Sequence, residues 1–426
     1  MTASDADRAL IGHLLRRTGF GASGPEIDSA SAAGYQATLT TLFGSGDDPG
    51  VDATPPPGFT GAIARSASQS ADLVAWWLGR MTAARNPWPE KRTFFWHGHY
   101  ATSITKVQSA ALMLQQNQTE RSLGGGDFTT LMRAMFTDPA MMIWLDAAGN
   151  TAKAPNENLA RESMELFSLG FGNYNETDVR QAALALTGWR LDRTSGTAYF
   201  EAAAHAPGPE TIFGRSASFD VDSFNSLLMA QPANPRFIVA RHWFRLGSDQ
   251  TIPAATQANL LKAYGSGQSL GGLQHALFND PAFTGTTARY ALVKQPVEYV
   301  VGVLRALKIT PPADGTAKNA QVLHTALNGL GQVPFAPPNV GGWPSGRLWL
   351  TTAAAQTRIV FARWAAGVGD ISSISDTATG SRIDATAYLL GVDSFSDRTR
   401  SALSDVAANP QAVVEMALLS PEYQVN

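Results

Sequence analysis

Apolar residues recur at three- and four-residue spacing through nearly all of this 426-residue chain, and that periodicity restricts it to a fold of packed helices. The first instance sets Leu10, Ile11, Leu14 and Leu15 on one face, with Ser4 and Asp7 as a capping signal ahead of it. The same pattern predicts helices over 71–82, through 94–99, and over 128–135, 139–145, 156–169 and 177–186. They resume at residue 223 and continue over 235–244, 254–264, 270–278 and 295–307. Three stretches interrupt the pattern. Residues 44–58 hold Asp47, Asp48 and three consecutive prolines and read as an exposed loop. Residues 189–219 turn to short β-leaning pieces with Gly and Pro, and residues 334–349 form a Pro-rich loop containing Trp343 and Trp349. The expected architecture is mainly α, a large multi-helix globular fold with a small irregular or β-hairpin insertion near 190–220. A single domain over 1–426 is expected, divisible into an N-terminal helical half (1–189), the insertion (190–222) and a C-terminal helical half (223–426).

Composition removes several function classes. Lys and Arg number 32 against 35 Asp and Glu, with no long run of either sign, so no nucleic-acid partner is expected. Cysteine is absent, which excludes disulfides, thiolate nucleophiles and Cys-ligated zinc, and leaves His, carboxylate or carbonyl oxygen for any metal. No stretch approaches the ~20 apolar residues that span a bilayer, and the first residues lack an apolar signal core. The reading is a cytoplasmic protein, or one exported without a recognisable signal.

Two glycine motifs invite chemistry that their surroundings do not support. Gly19, Gly21 and Gly24 spell G-x-G-x-x-G, but a helix ending in Arg16-Arg17 precedes them where a dinucleotide fold needs a strand, so no nucleotide cofactor is expected. Gly267, Ser269 and Gly271 spell G-x-S-x-G, yet amphipathic helix precedes the serine and Ser269 reads as an N-cap.

The run from Pro155 to Gly170 carries more information. Asn156 can cap it and Gly170 can end it. At about 100° per residue, Glu157, Asn158, Arg161, Glu162 and Glu165 share one face, while Leu159, Met164, Leu166 and Phe167 take the other. One reading is a solvated stripe in which Glu157 and Glu165 pair with Arg161 at i,i+4 spacing, each pair contributing about 0.3–0.5 kcal/mol. The other is a cleft wall whose carboxylates bind a cation or act as general acid and base. His97 and His99, among Phe94, Phe95, Trp96 and Tyr100, are the candidate nitrogen ligands. Lying about 200° apart on a regular helix, they meet one ion only if the chain bends at Gly98. Each equally reads as a hydrogen-bonded histidine under aromatic packing. His205, in the insertion, is a further candidate.

At these residues the chain resembles the domain-of-unknown-function family 1800, a bacterial group often encoded beside a second, exported family. The resemblance runs through His13-Leu14-Leu15-Arg16-Arg17-Thr18-Gly19-Phe20-Gly21, Phe95-Trp96-His97-Gly98-His99-Tyr100, and Asn156-Glu157-Asn158 with Arg161-Glu162 and Glu165-Leu166. It continues through Tyr174, Asp178-Val179, Leu186-Thr187-Gly188-Trp189 and Pro337-Pro338-Asn339-Val340-Gly341-Gly342-Trp343-Pro344. It implies a possible protein partner from the neighbouring exported family and supplies no activity. Two departures stand out: Ala206 follows His205 where relatives place Asp, and Glu210 occupies a lysine-like position.

Three functions remain open. The first is a metal-assisted hydrolytic or oxidative enzyme. Glu157, Glu162, Glu165 and His97 or His99 would hold a divalent Zn, Fe or Mn, with Arg161 and His205 as further catalytic groups. The second is a non-catalytic helical binding or assembly protein in which the polar groups form a structural network. The third is carbohydrate binding through Trp343 and Trp349, the remaining tryptophans being assigned to the core. The enzyme reading requires the three carboxylates to face a partly enclosed pocket beside a histidine.

Overall fold

The structure, a computed structural model, describes residues 3–59 and 66–426, with side chains from residue 5 onward. It is built from helices, and among the described residues the only paired strands form two small antiparallel hairpins. The expected N-cap at Ser4 falls on a side chain outside the described residues, and the first helix is Ala3–Thr18. Residues 254–264 form one helix over the expected span. Ser269 caps Leu270–Asn279 by accepting from the Gly272 amide at 3.0 Å. Gly24–Ala33 begins at the third motif glycine, behind a capping box of Ser23 and Glu26. In the stretch read as a loop, Asp48 caps a single helical turn, Pro49–Asp52, and also accepts from the Asn86 amide at 2.8 Å. That side chain supplies the donors' partner that the prolines alone would leave unmet.

The insertion has the anticipated hairpins. Trp189–Asp192 pairs with Thr197–Phe200, and Glu210–Ile212 pairs with Arg215–Ala217. Phe213 and Gly214 close the second with φ of 49° and 73°, the two-residue turn whose twist matches the strands.

Two helices depart from regular α geometry. Residues 156–169, expected as one helix, become Asn158–Glu162 followed by a π-helical turn, Ser163–Ser168. Likewise Ala233–His242 passes into a π-turn, Trp243–Gly247. Apolar spacing does not distinguish these from α-helix, because one inserted residue leaves the flanking pattern intact.

The buried apolar residues form two clusters, each drawing on sequence from both helical halves. One joins Trp77, Phe94 and Met113 to Tyr299, Leu327, Phe361 and Val414. The other joins Trp88, Trp96, Phe128 and Phe167 to Phe224, Ile238, Leu273 and Phe283. Trp88–His99 runs between them, giving Phe94 to the first and Trp88 and Trp96 to the second. A helix buried on both sides has no solvent face for its charges, and Glu90 (1% exposed) and Lys91 (4%) are therefore held by partners. Glu90 accepts from Trp77 Nε1 at 2.8 Å, Arg80 Nε at 2.7 Å and Arg121 Nε at 2.8 Å, tying three helices together. Burial pushes its pKa up, but Arg121 and Arg80 outweigh that and hold it below the ordinary value.

Glu90→Gln should therefore cost about 3–5 kcal/mol, because it strands two guanidinium groups, measured by urea unfolding. Since the folded-state pKa is depressed, the wild-type contribution is present at neutral pH and is lost as pH falls below 4.5, the ordinary Glu value. An unchanged urea midpoint in the variant would remove Glu90 as a tie.

Candidate functional site

The sequence-selected polar groups divide between two places. Glu157, Arg161, Glu162 and Glu165 do come together, on a partly exposed face. Arg161 donates to Glu157 Oε2 at 3.0 Å and to both oxygens of Glu176 at 2.7 and 2.8 Å. Glu176 hydrogen bonds, with the other contacts, raise the Arg161 pKa. Glu165 accepts from the Tyr174 hydroxyl, whose pKa is pushed up to about 12 by burial and then by that carboxylate. The Glu162 carboxyl is raised, by burial first and by Glu165 second. Each residue in a π-turn advances by less than 100°, so Glu165 leaves the single arc that an ideal helix gives and meets Tyr174 instead. Asn156 Oδ1 accepts from the Asn158 amide at 2.9 Å, and Gly170, with φ of 84°, ends the segment.

The histidines are not part of this face. His97 is 1% exposed, and its Nε2 accepts from the Phe335 amide at 2.9 Å, among the rings of Trp77, Phe335 and Trp343. Burial lowers its pKa to about 3, so it is neutral at any ordinary pH. His99 meets the Phe167 carbonyl through Nε2 at 2.9 Å, bracing the π-turn from the core side. Its Nδ1 has no hydrogen-bond partner. On the regular helix Trp88–His99 the two rings take different surroundings, and the bend at Gly98 that joint ligation needs does not occur. Among the described residues, no group of three or more His, Asp or Glu is arranged to hold a metal ion.

His205 hangs on Thr187, its Nδ1 2.9 Å from the Thr187 carbonyl. The neighbouring departures are structural: Ala206 is buried and donates its amide to Thr187 Oγ1 at 2.8 Å, while buried Glu210 accepts from the Phe219 amide at 2.9 Å. Trp349 is 2% exposed and Trp343 6%. Neither indole offers the open face that sugar stacking needs, because the loop folds inward. Gly342, with φ of 83°, packs so closely on the helix end that a Cβ there would lie 2.8 Å from the Gly98 carbonyl.

Beneath that loop lies a feature that sequence spacing did not show. Arg16, Arg17, Lys91 and Lys294 are each at most 5% exposed, and Arg245 joins them from the π-turn Trp243–Gly247. Glu298 (4% exposed) accepts from Lys91, from the Gln295 amide at 2.8 Å and from Asn426 Nδ2 at 3.1 Å. Arg16 faces Asp393 at 3.5 Å. Arg17, Lys294 and Arg245 make no ion pair with a carboxylate among the described residues. Arg17 donates one nitrogen to the Ala288 carbonyl at 2.7 Å and leaves two buried nitrogens without partners. Burial lowers its pKa to about 9, Glu298 and Asp249 opposing that shift. Burial and then Arg16 bring Lys294 down to about 7, and its ammonium lies 3.6 Å from the centre of the Tyr423 ring.

Two adjoining openings reach the Arg245 side of this cluster. One, of about 20 Å³, is lined by Lys91, Arg245, Gln295, Gln332 and Trp343. The other, of about 40 Å³, shares Arg245 and Gln295 and adds Asp249, Glu298 and Ser345. Together they hold roughly two to four waters, about the space of a carboxylate or phosphate head group.

Fold and site thus define a mainly α-helical protein with a charged, cation-rich interior and no helix long and apolar enough to cross a membrane among the described residues. The chain belongs to the DUF1800 family, described as proteins of unknown function, whose family profile matches residues 13–425. Neither the curated proteins nor the solved structures compared with it gave a match.

His97→Ala removes the acceptor of the Phe335 amide and a ring packed among three aromatic neighbours, and should cost about 3–5 kcal/mol. Arg161→Ala, on the exposed ladder, should leave the unfolding midpoint nearly unchanged. The reverse order of effects would move the structural weight to the polar face.

Proposed function

We propose that this protein binds an anionic ligand, a carboxylate or phosphate group, in the cation-rich cleft roofed by the Pro-rich loop. The observation that carries the reading is the charge balance. Among the described residues Arg17, Lys294 and Arg245 lack a carboxylate partner, and Arg245 lines an opening of head-group size. Leaving such charges uncompensated costs several kcal/mol, and only an anion or loss of a proton offsets it. Arg245 is the principal contact in this reading, since it is shared by both openings and makes no side-chain hydrogen bond among the described residues. Phe95, Gly98 and Trp343, from two of the segments that carry the family resemblance, line the cleft. This reading falls within the binding-protein class.

A metal-assisted reaction is the second reading, favoured by one observation: Glu162 and Glu165 are electrostatically coupled, with Tyr174 hydrogen-bonded to Glu165. It would rest on carboxylate and phenol oxygen, without His97 or His99, which weakens the case for zinc and favours harder ions. Elemental analysis of protein purified without chelator distinguishes the two.

Titration calorimetry with inorganic phosphate and with acetate at pH 6.5 should give saturable binding, lost in Arg245→Met with the helical dichroism retained. No binding of either anion at millimolar concentration, at any pH from 6 to 8, would reject the proposal.

A further inference from the structure

A second cluster, separate from the cleft, has the opposite charge. The helix Ala110–Leu123 turns Gln116, Asn117 and Glu120 into the interior, where they are 1%, 1% and 0% exposed. Three and four residues apart, these positions lie on one helical face. Both carboxylate oxygens of Glu120, both amide atoms of Asn117 and Oε1 of Gln116 are buried without a hydrogen-bond partner. Asp138, 4% exposed, joins them by accepting from Gln116 Nε2 at 2.7 Å while capping the helix Pro139–Trp144 through the Met141 amide at 2.8 Å. The Tyr100 hydroxyl, an electrostatic neighbour of Glu120, reaches only the sulfur of Met132 at 3.5 Å. The cation that acts on Glu120 is Arg121, whose guanidinium is committed to Glu90.

A buried carboxylate with no donor is among the costliest groups a core can hold, and Glu120 also lies within the field of a second buried carboxylate, Asp138. We propose that Glu120, Asp138, Asn117 and Gln116 form a buried site for a hard divalent cation, calcium in particular. Two carboxylates balance a charge of two. Two oxygens from Glu120 and one from each of the other three residues give five, and water or the Tyr100 hydroxyl supplies the remainder of the roughly 6–8 that calcium takes. With no histidine or sulfur donor, the set does not suit zinc or copper. Magnesium, which demands a near-regular octahedron and keeps several waters, suits an enclosed cage of amide and carboxylate oxygen less well. Half of the donor residues are amides, so the site is not one that three or more acids or histidines would mark.

The rival occupant is a proton on each acid. Burial and then Asp138 push the Glu120 carboxyl well above its ordinary value, and burial raises Asp138 to about 7. Arg121 opposes the shift at Glu120, and Gln116 with the Met141 and Ala140 amides opposes it at Asp138.

The two occupants separate in a thermal unfolding experiment on the full chain, stripped with chelator and dialysed. For the cation site, calcium chloride should raise the midpoint by a few degrees at pH 8, magnesium chloride by less. The calcium effect should shrink at pH 6, where protons replace the ion. One equivalent of calcium should be retained after gel filtration, and Glu120→Gln should abolish both retention and shift. Should Glu120→Gln fail to fold, Asp138→Asn and the wild-type pH comparison carry the same test. If wild-type protein shows no calcium effect at either pH and retains no metal, the proposal is wrong. A Glu120→Gln variant as stable as wild type at pH 8, with no calcium effect in either protein, would assign the site to protons.

Discussion

The Glu298 carboxylate is the constraint around which both ends of the chain are arranged. It sits in the capping box that starts Pro296–Ala306, accepts from Asn426 at 3.1 Å and receives Lys91 from the central helix. Those contacts join residues separated by 207 and 128 positions in sequence. A buried ion pair of this kind is weak evidence for net stability, since desolvation offsets much of the Coulomb attraction. Its effect is on arrangement: one anion fixes where Lys91, Arg17, Lys294 and Arg245 can lie, because each of them gains from its proximity. One carboxylate does not neutralise them all, and the residual positive charge is what gives the cleft its chemistry.

Helix Trp88–His99 extends that logic across the molecule. Within ten residues it binds three side chains through Glu90, the C-terminal half through Lys91, the Pro-rich loop through His97 and the π-turn through His99. Its aromatic residues enter both apolar clusters. The conspicuous Trp96-His97-Gly98-His99 run is therefore explained by packing. His97 is fixed in the neutral form as an acceptor, and Gly342 lacks the Cβ that would strike the Gly98 carbonyl. A residue type suited to metal ligation is here used for a backbone hydrogen bond where no water reaches.

This accounts for what the sequence conveyed and what it did not. Helix positions followed from apolar spacing, because burial on one face imposes a period that survives in the residue types, as in Ala254–Tyr264. The hairpin insertion and the cap at Ser269 were legible from local residue types, Gly and Pro among β-leaning pieces and a serine ahead of an apolar helix. The π-turns were not, since an inserted residue changes direction without changing composition. Nor was the cation cluster: Arg17, Lys91, Arg245 and Lys294 lie far apart in sequence, and each alone reads as an ordinary surface charge. Glu157 and Arg161 pair because i,i+4 geometry is local, whereas joining that face to His97 required a tertiary contact that spacing does not encode.

The division between an exposed acidic ladder and a buried basic cleft also bears on why the Asn156–Glu165 segment accompanies the other family-like segments. Its apolar side supplies Met164 and Phe167 to the core, its Phe167 carbonyl receives His99, and Ser168 offers its carbonyl to Asn234 at 3.1 Å. Asn234 begins the helix that ends in the π-turn bearing Arg245. One π-turn is thus braced against the helix that leads into the other, through hydrogen bonds whose donors are buried side chains and whose acceptors are carbonyls. A widened turn exposes backbone carbonyls that α-helix would use internally, and His99 and Asn234 each satisfy one. On this argument the segment's outward carboxylates need no role at the cleft. What the segment contributes there is mechanical, holding the helix that aims Arg245 at the space between Gln295 and Trp343.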